Sequence, residues 1–366
     1  MTNLQRLFED FGQSPWLDNL KRGYLTSGEL QRYVDRGIRG ITSNPSIFQK
    51  AISGGNDYDD QFGRLIGGGA SVEDAYWDMV VDDISAALSI LRPVYDAADG
   101  HDGFVSVEVG PELARDTEGT VSEAAALWSR IDRPNLFVKI PATAAGIDAI
   151  RRSLAAGINI NLTLLFSLSR YSEVIEAFFA GLEERVAAGH DVSRLASVAS
   201  FFVSRVDTEV DRRLEAIGSD EALALRGKAA VANAQLAYAL FLERFSGPRW
   251  DALSAAGARV QRPLWASTST KNPAYPDTLY VDTLIGPDTV NTLPDATIDD
   301  FEDHGTLART VDADLASARD VVTRLAALGI DLDEVGLKLE DEGVAAFSKA
   351  FDELVESLST KATELR

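Results

Sequence analysis

The 366-residue chain contains no cysteine and only three histidines. The absence of cysteine excludes disulfides, thiolate zinc sites and cysteine nucleophiles. His101, His190 and His304 lie far apart in the sequence, and none has the HExxH spacing of a zinc site carried on a helix. The pattern therefore gives no indication of a metal site.

Long apolar runs and basic residues are also scarce. No stretch approaches 18 consecutive apolar residues, and the N-terminal segment lacks the apolar core of a signal peptide. The 35 Lys and Arg residues against 57 Asp and Glu residues give a formal net charge of −22. This balance disfavours nucleic acid and membrane partners, and the lack of a signal peptide or a membrane-spanning run predicts a cytoplasmic protein. An enzyme of this charge that acts on phosphorylated compounds needs a local cationic pocket.

Short apolar segments alternate with longer amphipathic ones along the chain. The predicted strands lie near Pro15–Leu20, Gly40–Ser43, Phe104–Val109, Leu136–Ile140, Ile158–Leu164, Ala196–Val203, Arg262–Ala266 and Leu279–Thr283. The predicted helices are Thr26–Arg36, Ser71–Ala98, Thr120–Ser129, Ala144–Ala155, Ser169–Ala187, Val206–Ala216 and Leu223–Phe245. Eight such units predict an α/β protein, a (β/α)8 TIM barrel in one domain spanning residues 1–366. An open doubly wound sheet is the alternative, but no GxGxxG motif follows an early strand.

The C-terminal segment predicts one more helix outside the eight units. Residues 334–340 lead into it, and its apolar side chains recur at helical spacing between Val344 and Leu358. An apolar stripe of this kind usually buries against a core, so we expect this helix to pack on the barrel. The alternative is that it covers the mouth of the active site.

The most informative residue is Lys139, a lone lysine inside the apolar run Leu136–Ile140. Burial of an ammonium group lowers its pKa, which leaves more free amine to attack a carbonyl carbon. A Schiff-base enzyme needs such an amine. The alternative is a lysine that reaches solvent from the strand end or pairs with a carboxylate.

Two carboxylates also lie at predicted strand ends, where barrel enzymes place their chemistry. Asp18 follows the first strand, where it is either a turn residue or a proton acceptor for a substrate hydroxyl. Glu108 lies inside the apolar run of the third strand. A buried carboxylate either forms an ion pair or takes up a proton, so Glu108 is a candidate acid/base partner of Lys139.

Other polar residues at strand ends are candidates for substrate binding. Asn44 alone is typical of an Asn-Pro turn, whereas Asn161 and Thr163 share one face of the fifth strand. Arg205 follows the sixth strand, where it either binds a phosphate or pairs with a nearby carboxylate. The hydroxyl-rich loop after the seventh strand contains one cation, Lys271, and is either part of a phosphate site or an ordinary polar loop.

Taken together, these segments resemble the transaldolase family over nearly the whole chain. The specific motifs are Gly40–Phe48, Leu136–Gly146 and Asn161–Ser167. The segments Trp16–Leu20 and Trp265–Pro273 are similar to the longer, actinobacterial-type branch of the family. The resemblance implies a TIM barrel whose Schiff-base lysine, here Lys139, lies on the fourth strand.

The resemblance also implies the reaction and its residues. A dihydroxyacetone unit would pass from fructose 6-phosphate or sedoheptulose 7-phosphate to an aldose phosphate, in the pentose phosphate pathway and without a cofactor. The implied catalytic residues are Lys139, Glu108, Asp18 and Thr163. Asn44, Asn161 and Ser200 would hold hydroxyl groups of the substrate, and Arg205 its phosphate. The partners would be sugar phosphates only, and the protein would be a monomer or a homodimer.

The chain departs from the family pattern in two places. Phe201 and Ser204 stand where many members have proline and glycine. Ala266–Lys271 replaces a loop that usually contains a second phosphate-binding arginine, a role that Lys271 would take over. Two other functions stay open: an aldolase that releases free dihydroxyacetone, and a non-catalytic barrel that binds sugar phosphates.

Overall fold

The computed structural model describes residues 1–364 and contains a closed barrel of eight parallel strands that are neighbours in chain order. The strands are β1 (Gln13–Leu17), β2 (Gly40–Ile41), β3 (Phe104–Glu108), β4 (Leu136–Pro141), β5 (Ile160–Leu165), β6 (Ser197–Phe202), β7 (Arg262–Ala266) and β8 (Thr289–Leu293). Strand β8 pairs with β1 from Gln13 to Leu17 and closes the barrel. The predicted (β/α)8 fold is therefore confirmed.

Helices surround the barrel and cover parts of both its ends. Within residues 1–364 they are α1 (Asn3–Phe11), α2 (Arg22–Thr26), α3 (Glu29–Arg36), α4 (Pro45–Ser53), α5 (Asp59–Gly67), α6 (Val72–Ala97), α7 (Thr117–Ile131), α8 (Ala144–Ala155), α9 (Leu168–Ala187), α10 (Ser204–Ile217), α11 (Asp220–Leu223), α12 (Ala229–Arg244), α13 (Pro248–Ala255), α14 (Leu279–Asp282), α15 (Asp295–His304), α16 (Leu315–Ala327) and α17 (Leu332–Glu364), with a 3₁₀ turn at Pro111–Arg115. No helix of the described residues is both long enough and apolar enough to cross a bilayer.

The unit formed by β4 and α8 shows how the sequence produces this local structure. All six residues of β4 are buried, because side chains fill the barrel on one face and helices cover the other. Thr143 caps α8 by accepting a hydrogen bond from the backbone N–H of Gly146 at 3.0 Å. A Cβ atom on Gly146 would lie 1.9 Å from the carbonyl oxygen of Pro141, so this close turn requires glycine.

The prediction of the eighth strand is wrong. The segment predicted at Leu279–Thr283 forms the short helix α14, and the strand lies ten residues later, at Thr289–Leu293. Strand β8 contains polar residues that are buried in the barrel, including Thr289 and Asn291. Their amide and hydroxyl groups bond within the protein, since Gln13 donates to Thr289 Oγ1 at 2.9 Å and Asn291 donates to the carbonyl oxygen of Tyr280 at 3.3 Å. A buried strand with such polar residues lacks the apolar run that marks the others.

Two predicted helices begin later in the structure than predicted. The segment predicted as one helix from Leu223 to Phe245 includes only the last residue of α11, then a turn at residues 224–228, and then α12. Two carboxylates of α10 hold this turn, because Asp211 accepts from the N–H of Gly227 and Asp207 accepts from the N–H of Ala230. The segment predicted at Thr26–Arg36 likewise includes only the last residue of α2, and its helix is α3.

The predicted C-terminal helix exists and packs on the barrel, and it begins earlier than the apolar stripe indicated. Helix α17 starts at Leu332 and runs over the carboxyl end of β5. A Cβ atom on Gly343 would lie 2.7 Å from Leu164 Cδ2, so the small residue permits this close packing. Leu164 itself has a φ of 58°, a strained conformation for leucine that changes the direction of the chain at the end of β5.

Helix α17 also covers part of the barrel mouth, because its residue Phe347 lines a cavity at the strand ends.

Candidate active site

A cavity of about 370 Å³ opens at the carboxyl ends of the barrel strands. Its lining is rich in polar and cationic side chains and includes residues from most of the strand ends. The lining residues are Asp18, Thr42, Asn44, Ser46, Ile47, Lys50, Lys139, Thr163, Ser200, Phe202, Arg205, Ala266, Ser267, Ser269, Lys271, Thr292, Pro294 and Phe347. Seven of the nine predicted site residues are therefore in the lining, and Glu108 and Asn161 lie behind it.

Lys139 lies on β4 and is buried, with 4% of its surface exposed. Its Nζ lies 3.1 Å from Glu108 Oε2 and donates a hydrogen bond to the carbonyl oxygen of Ser43 at 3.2 Å. The ring of Phe347 lies above it, 6.0 Å from Nζ to the ring centroid. The amine is thus held between a carboxylate and a carbonyl group, beneath an aromatic ring, and borders the cavity.

Glu108 is the neighbour of Lys139 in the register between β3 and β4. It is almost completely buried, and burial raises the pKa of its carboxyl group, although the ammonium of Lys139 opposes this shift. A raised carboxyl pKa favours the state in which Glu108 holds a proton. Glu108 is therefore placed to exchange a proton at the Lys139 amine.

Asp18 follows β1 and reaches the cavity from the opposite side of the barrel. Thr42 Oγ1 donates a hydrogen bond to Asp18 Oδ1 at 2.7 Å, and the hydroxyl of Thr292 lies 2.6 Å from that of Thr42. Burial raises the pKa of Asp18, while the bond from Thr42 and the charge of Lys139 lower it. Asp18 is thus a carboxyl group in a fixed orientation with raised affinity for a proton.

Strands β5 and β6 supply a polar network beside the lysine. Asn161 is the register neighbour of Lys139, and its amide donates to Ser106 Oγ at 3.0 Å. Its carbonyl oxygen accepts from Ser200 Oγ at 2.7 Å. Thr163 Oγ1 is buried and has no hydrogen-bond partner among the described residues. This free hydroxyl at the cavity wall is available to a substrate or a water molecule.

Asn44 also has a structural role that matches its Asn-Pro context. Its side-chain oxygen caps α4 by accepting from the N–H of Ile47 at 2.9 Å. Because this bond uses the oxygen, the amide NH₂ remains for the cavity. Ser46 and Lys50 lie four residues apart on α4, and both line the cavity on the same face of this helix.

Cations collect at one end of the cavity. Arg205 is the second residue of α10, whose N-cap residue Val203 makes no side-chain cap. Its guanidinium lies 5.2 Å from the ring centroid of Phe202, and burial lowers its pKa. Lys271 donates to Ser269 Oγ at 2.5 Å. Guanidinium, ammonium and hydroxyl groups at a helix N-terminus suit an anion such as phosphate.

The sequence pattern did not identify several residues of this lining. Lys50 is an exposed lysine, and the only sequence feature that could have indicated its place in the site was its spacing of four residues from Ser46. Phe347 belonged to an apolar stripe that looked like ordinary core. Thr42 and Thr292 were ordinary polar residues until the barrel placed them beside Asp18.

These features point to a class of protein. A barrel cavity with a buried lysine, two carboxyl groups of raised pKa and a cationic end suits an enzyme for covalent chemistry on an anionic carbonyl compound. In such a site a lysine can supply a nucleophile, carboxyl groups can move protons, and cations can hold a charged end of the substrate.

Comparison with known proteins specifies the family. The family model described as "Transaldolase/Fructose-6-phosphate aldolase" matches residues 15–358. A transaldolase from Thermobifida fusca is 53% identical over 97% of each chain. One from Acidothermus cellulolyticus is 52% identical over 97% of this chain and 96% of its own, and one from Mycolicibacterium smegmatis is 52% identical over 94% of each. The chain belongs to the transaldolase/fructose-6-phosphate aldolase family and is an enzyme.

The relatives come from actinobacteria, as the resemblance in Trp16–Leu20 and Trp265–Pro273 predicted. A solved citrate lyase from Burkholderia xenovorans LB400 covers 64% of this chain and 87% of its own, with 15% identity and a TM-score of 0.25. The family assignment depends on the family model and on the transaldolase relatives.

Proposed function

We propose that the enzyme transfers a dihydroxyacetone unit from fructose 6-phosphate or sedoheptulose 7-phosphate to glyceraldehyde 3-phosphate or erythrose 4-phosphate. The observation that carries this proposal is the contact between Lys139 Nζ and Glu108 Oε2 at 3.1 Å, on the wall of a cavity with a cationic end. Substrates of this kind place the reaction in the pentose phosphate pathway of the cytoplasm.

The first half of the reaction forms a Schiff base. The free amine of Lys139 attacks the C2 ketone of the donor, and the resulting carbinolamine loses water to give a protonated imine. Glu108 donates the proton that the departing hydroxyl group requires, through a water molecule that the Thr163 hydroxyl orients. The raised pKa of Glu108 supports this role, since it favours the protonated form of the carboxyl group, which is the form that can donate.

The second half breaks the C3–C4 bond. Asp18 takes the proton of the C4 hydroxyl, the C4 oxygen becomes the carbonyl of the released aldose phosphate, and the bonding electrons pass into the iminium to form an enamine. The hydrogen bond from Thr42 holds the Asp18 carboxylate for this transfer. The acceptor aldehyde then enters, and the same steps run in reverse.

Binding groups hold the two ends of the donor apart. Asn44, Asn161 and Ser200 lie near Lys139 and would bind the hydroxyl groups of the retained three-carbon unit. Arg205 and Lys271 would bind the phosphate at the cationic end. The enamine survives until the acceptor arrives because water is kept from protonating it, and Phe347 above Lys139 supports this exclusion.

The Glu108→Gln variant is expected to form the Schiff base about 10²- to 10⁴-fold more slowly, because an amide cannot donate the required proton. The sign of the pH dependence follows from the raised pKa. The unaltered enzyme should lose rate as pH rises through the pKa of Glu108, where the acid form disappears. Single-turnover rates measured across pH should show this loss in the unaltered enzyme and not in Glu108→Gln. Identical profiles would remove Glu108 from the mechanism.

The Lys271→Ala variant is expected to raise the KM for fructose 6-phosphate by about fivefold to tenfold with little change in kcat. An exposed ammonium contributes about 1 kcal/mol to the binding of a charged group, in the ground state and transition state alike. Steady-state kinetics with the phosphorylated donor would check this. An unchanged KM would leave Arg205 as the phosphate ligand without help from Lys271.

The reaction type is tested by the release of glyceraldehyde 3-phosphate from fructose 6-phosphate, with and without erythrose 4-phosphate. We expect continued release to depend on the acceptor, because the bound enamine leaves the enzyme only by reacting with an acceptor aldehyde. Equal release without acceptor would indicate an aldolase on the same barrel. No release under either condition would favour a non-catalytic binding protein.

A further inference from the structure

Lys50 borders the cavity from a helix that the predicted reaction did not involve. It lies on α4, one turn after Ser46, and both side chains line the cavity that contains Lys139. Lys50 also lines an adjoining open groove of about 450 Å³, which Lys21 and Tyr24 border from the other side. It therefore lies at the boundary between the active cavity and the surface.

Among the described residues, the three cations at this end of the cavity have no ion-pair partner. Lys50, Arg205 and Lys271 make no salt bridge there, although the chain has far more acids than bases. Two lysines of α17 are paired by contrast: Lys338 contacts Glu342 at 2.5 Å, and Lys349 lies 3.7 Å from Glu353. Three unpaired cations therefore share one cavity in a chain whose net charge is strongly negative.

These cations also act on one another. Partial desolvation at the cavity wall lowers the pKa of Lys271, and the charges of Arg205 and Lys50 lower it further. Like charges held this close repel in the empty cavity, so a dianion bound among them gains from all three. A single arginine and one lysine would give weaker attraction and no contact from the α4 side.

We propose that Lys50 is a third cation for the phosphate of the substrate and sets the preference for phosphorylated over unphosphorylated sugars. The inference rests on the proposed function and deepens it by adding a residue from α4. Lys50 approaches the phosphate from the groove side, opposite the loop that carries Lys271. Its long, exposed side chain accommodates the phosphate of a donor or an acceptor in the same place.

The test compares Lys50→Ala with Lys21→Ala, which removes the same charge from the adjoining groove but not from the active cavity. At low ionic strength, we expect Lys50→Ala to raise the KM for fructose 6-phosphate about tenfold and to leave kcat within about twofold. The Lys21→Ala control should change the KM by less than about twofold. Lys50→Arg should restore most of the binding, because it restores the charge.

Binding of inorganic phosphate, measured by calorimetry, gives a second readout that needs no turnover. Lys50→Ala should weaken phosphate binding by a factor similar to the KM change. Equal effects of Lys50→Ala and Lys21→Ala would overturn the proposal, since the effect would then be one of net charge. An unchanged phosphate affinity in Lys50→Ala would overturn it as well.

Failure of this inference and failure of the proposed function give different results. Unphosphorylated dihydroxyacetone should form a borohydride-reducible adduct in Lys50→Ala as readily as in the unaltered protein, because Lys50 does not touch the lysine chemistry. If the unaltered protein forms no adduct, the proposed function is wrong, and phosphate calorimetry still decides the role of Lys50.

Discussion

The Lys139→Ala variant is expected to lose at least about 10⁴-fold in turnover of fructose 6-phosphate with erythrose 4-phosphate, because no other amine can form the covalent intermediate. Lys139 is the buried lysine of the cavity wall, 3.1 Å from Glu108 and 3.2 Å from the Ser43 carbonyl. Lys50 and Lys271 are exposed at the other end of the site and cannot replace it. Coupled-enzyme assays of glyceraldehyde 3-phosphate release would measure the loss.

The variant should remain folded, which separates a chemical loss from a structural one. Removal of the ammonium leaves Glu108 without its ion pair, and its raised pKa lets it take up a proton instead of staying charged. Circular dichroism and inorganic phosphate binding should therefore match the unaltered protein. Turnover within tenfold of normal in a folded Lys139→Ala protein would contradict the Schiff-base mechanism.

The Asp18→Asn variant is expected to slow cleavage of fructose 6-phosphate by about 10²- to 10⁴-fold, because an amide cannot accept the C4 hydroxyl proton. Imine formation with dihydroxyacetone should persist, since no bond to C4 exists in that compound. Asparagine keeps an oxygen that can accept the 2.7 Å hydrogen bond from Thr42, so the local geometry is retained. Single-turnover cleavage and borohydride trapping would be measured on the same preparation.

The two half-reactions provide the control for this variant. Loss of cleavage together with retained trapping assigns Asp18 to C–C bond breakage. If Asp18→Asn loses both to the same extent, the residue supports the site as a whole and is not the base for the C4 hydroxyl.

Much of the fold could be predicted because apolar runs and helix caps coincide in most of the barrel units. Helix Ala144–Ala155 has the predicted limits, since Thr143 caps its start. Strand β8 was missed because it buries Thr289 and Asn291, whose partners come from β1 and α14 and are invisible in a local pattern. Tertiary hydrogen bonds, which make polar residues acceptable inside a barrel, decide such a strand.

The candidate site likewise contains residues that could be predicted from the sequence and residues that could not. Strand-end residues such as Lys139, Glu108 and Asp18 could be predicted to meet, because parallel strands bring their carboxyl ends together. Lys50 and Phe347 could not, because their places depend on how α4 and α17 lie across the barrel mouth. The direction of a helix over a barrel end is set by close contacts such as that of Gly343 with Leu164, which no local pattern predicts.

In the proposed mechanism Lys139 forms a covalent imine with the retained three-carbon unit. The most direct measurement is borohydride reduction of the enzyme after incubation with fructose 6-phosphate without acceptor, followed by peptide mapping by mass spectrometry. We expect a single reduced dihydroxyacetone adduct on Lys139, and we expect no adduct when enzyme freed of excess donor is given erythrose 4-phosphate before the borohydride. An adduct on Lys50 or Lys271 instead, or none in an enzyme that still turns over, would contradict this mechanism.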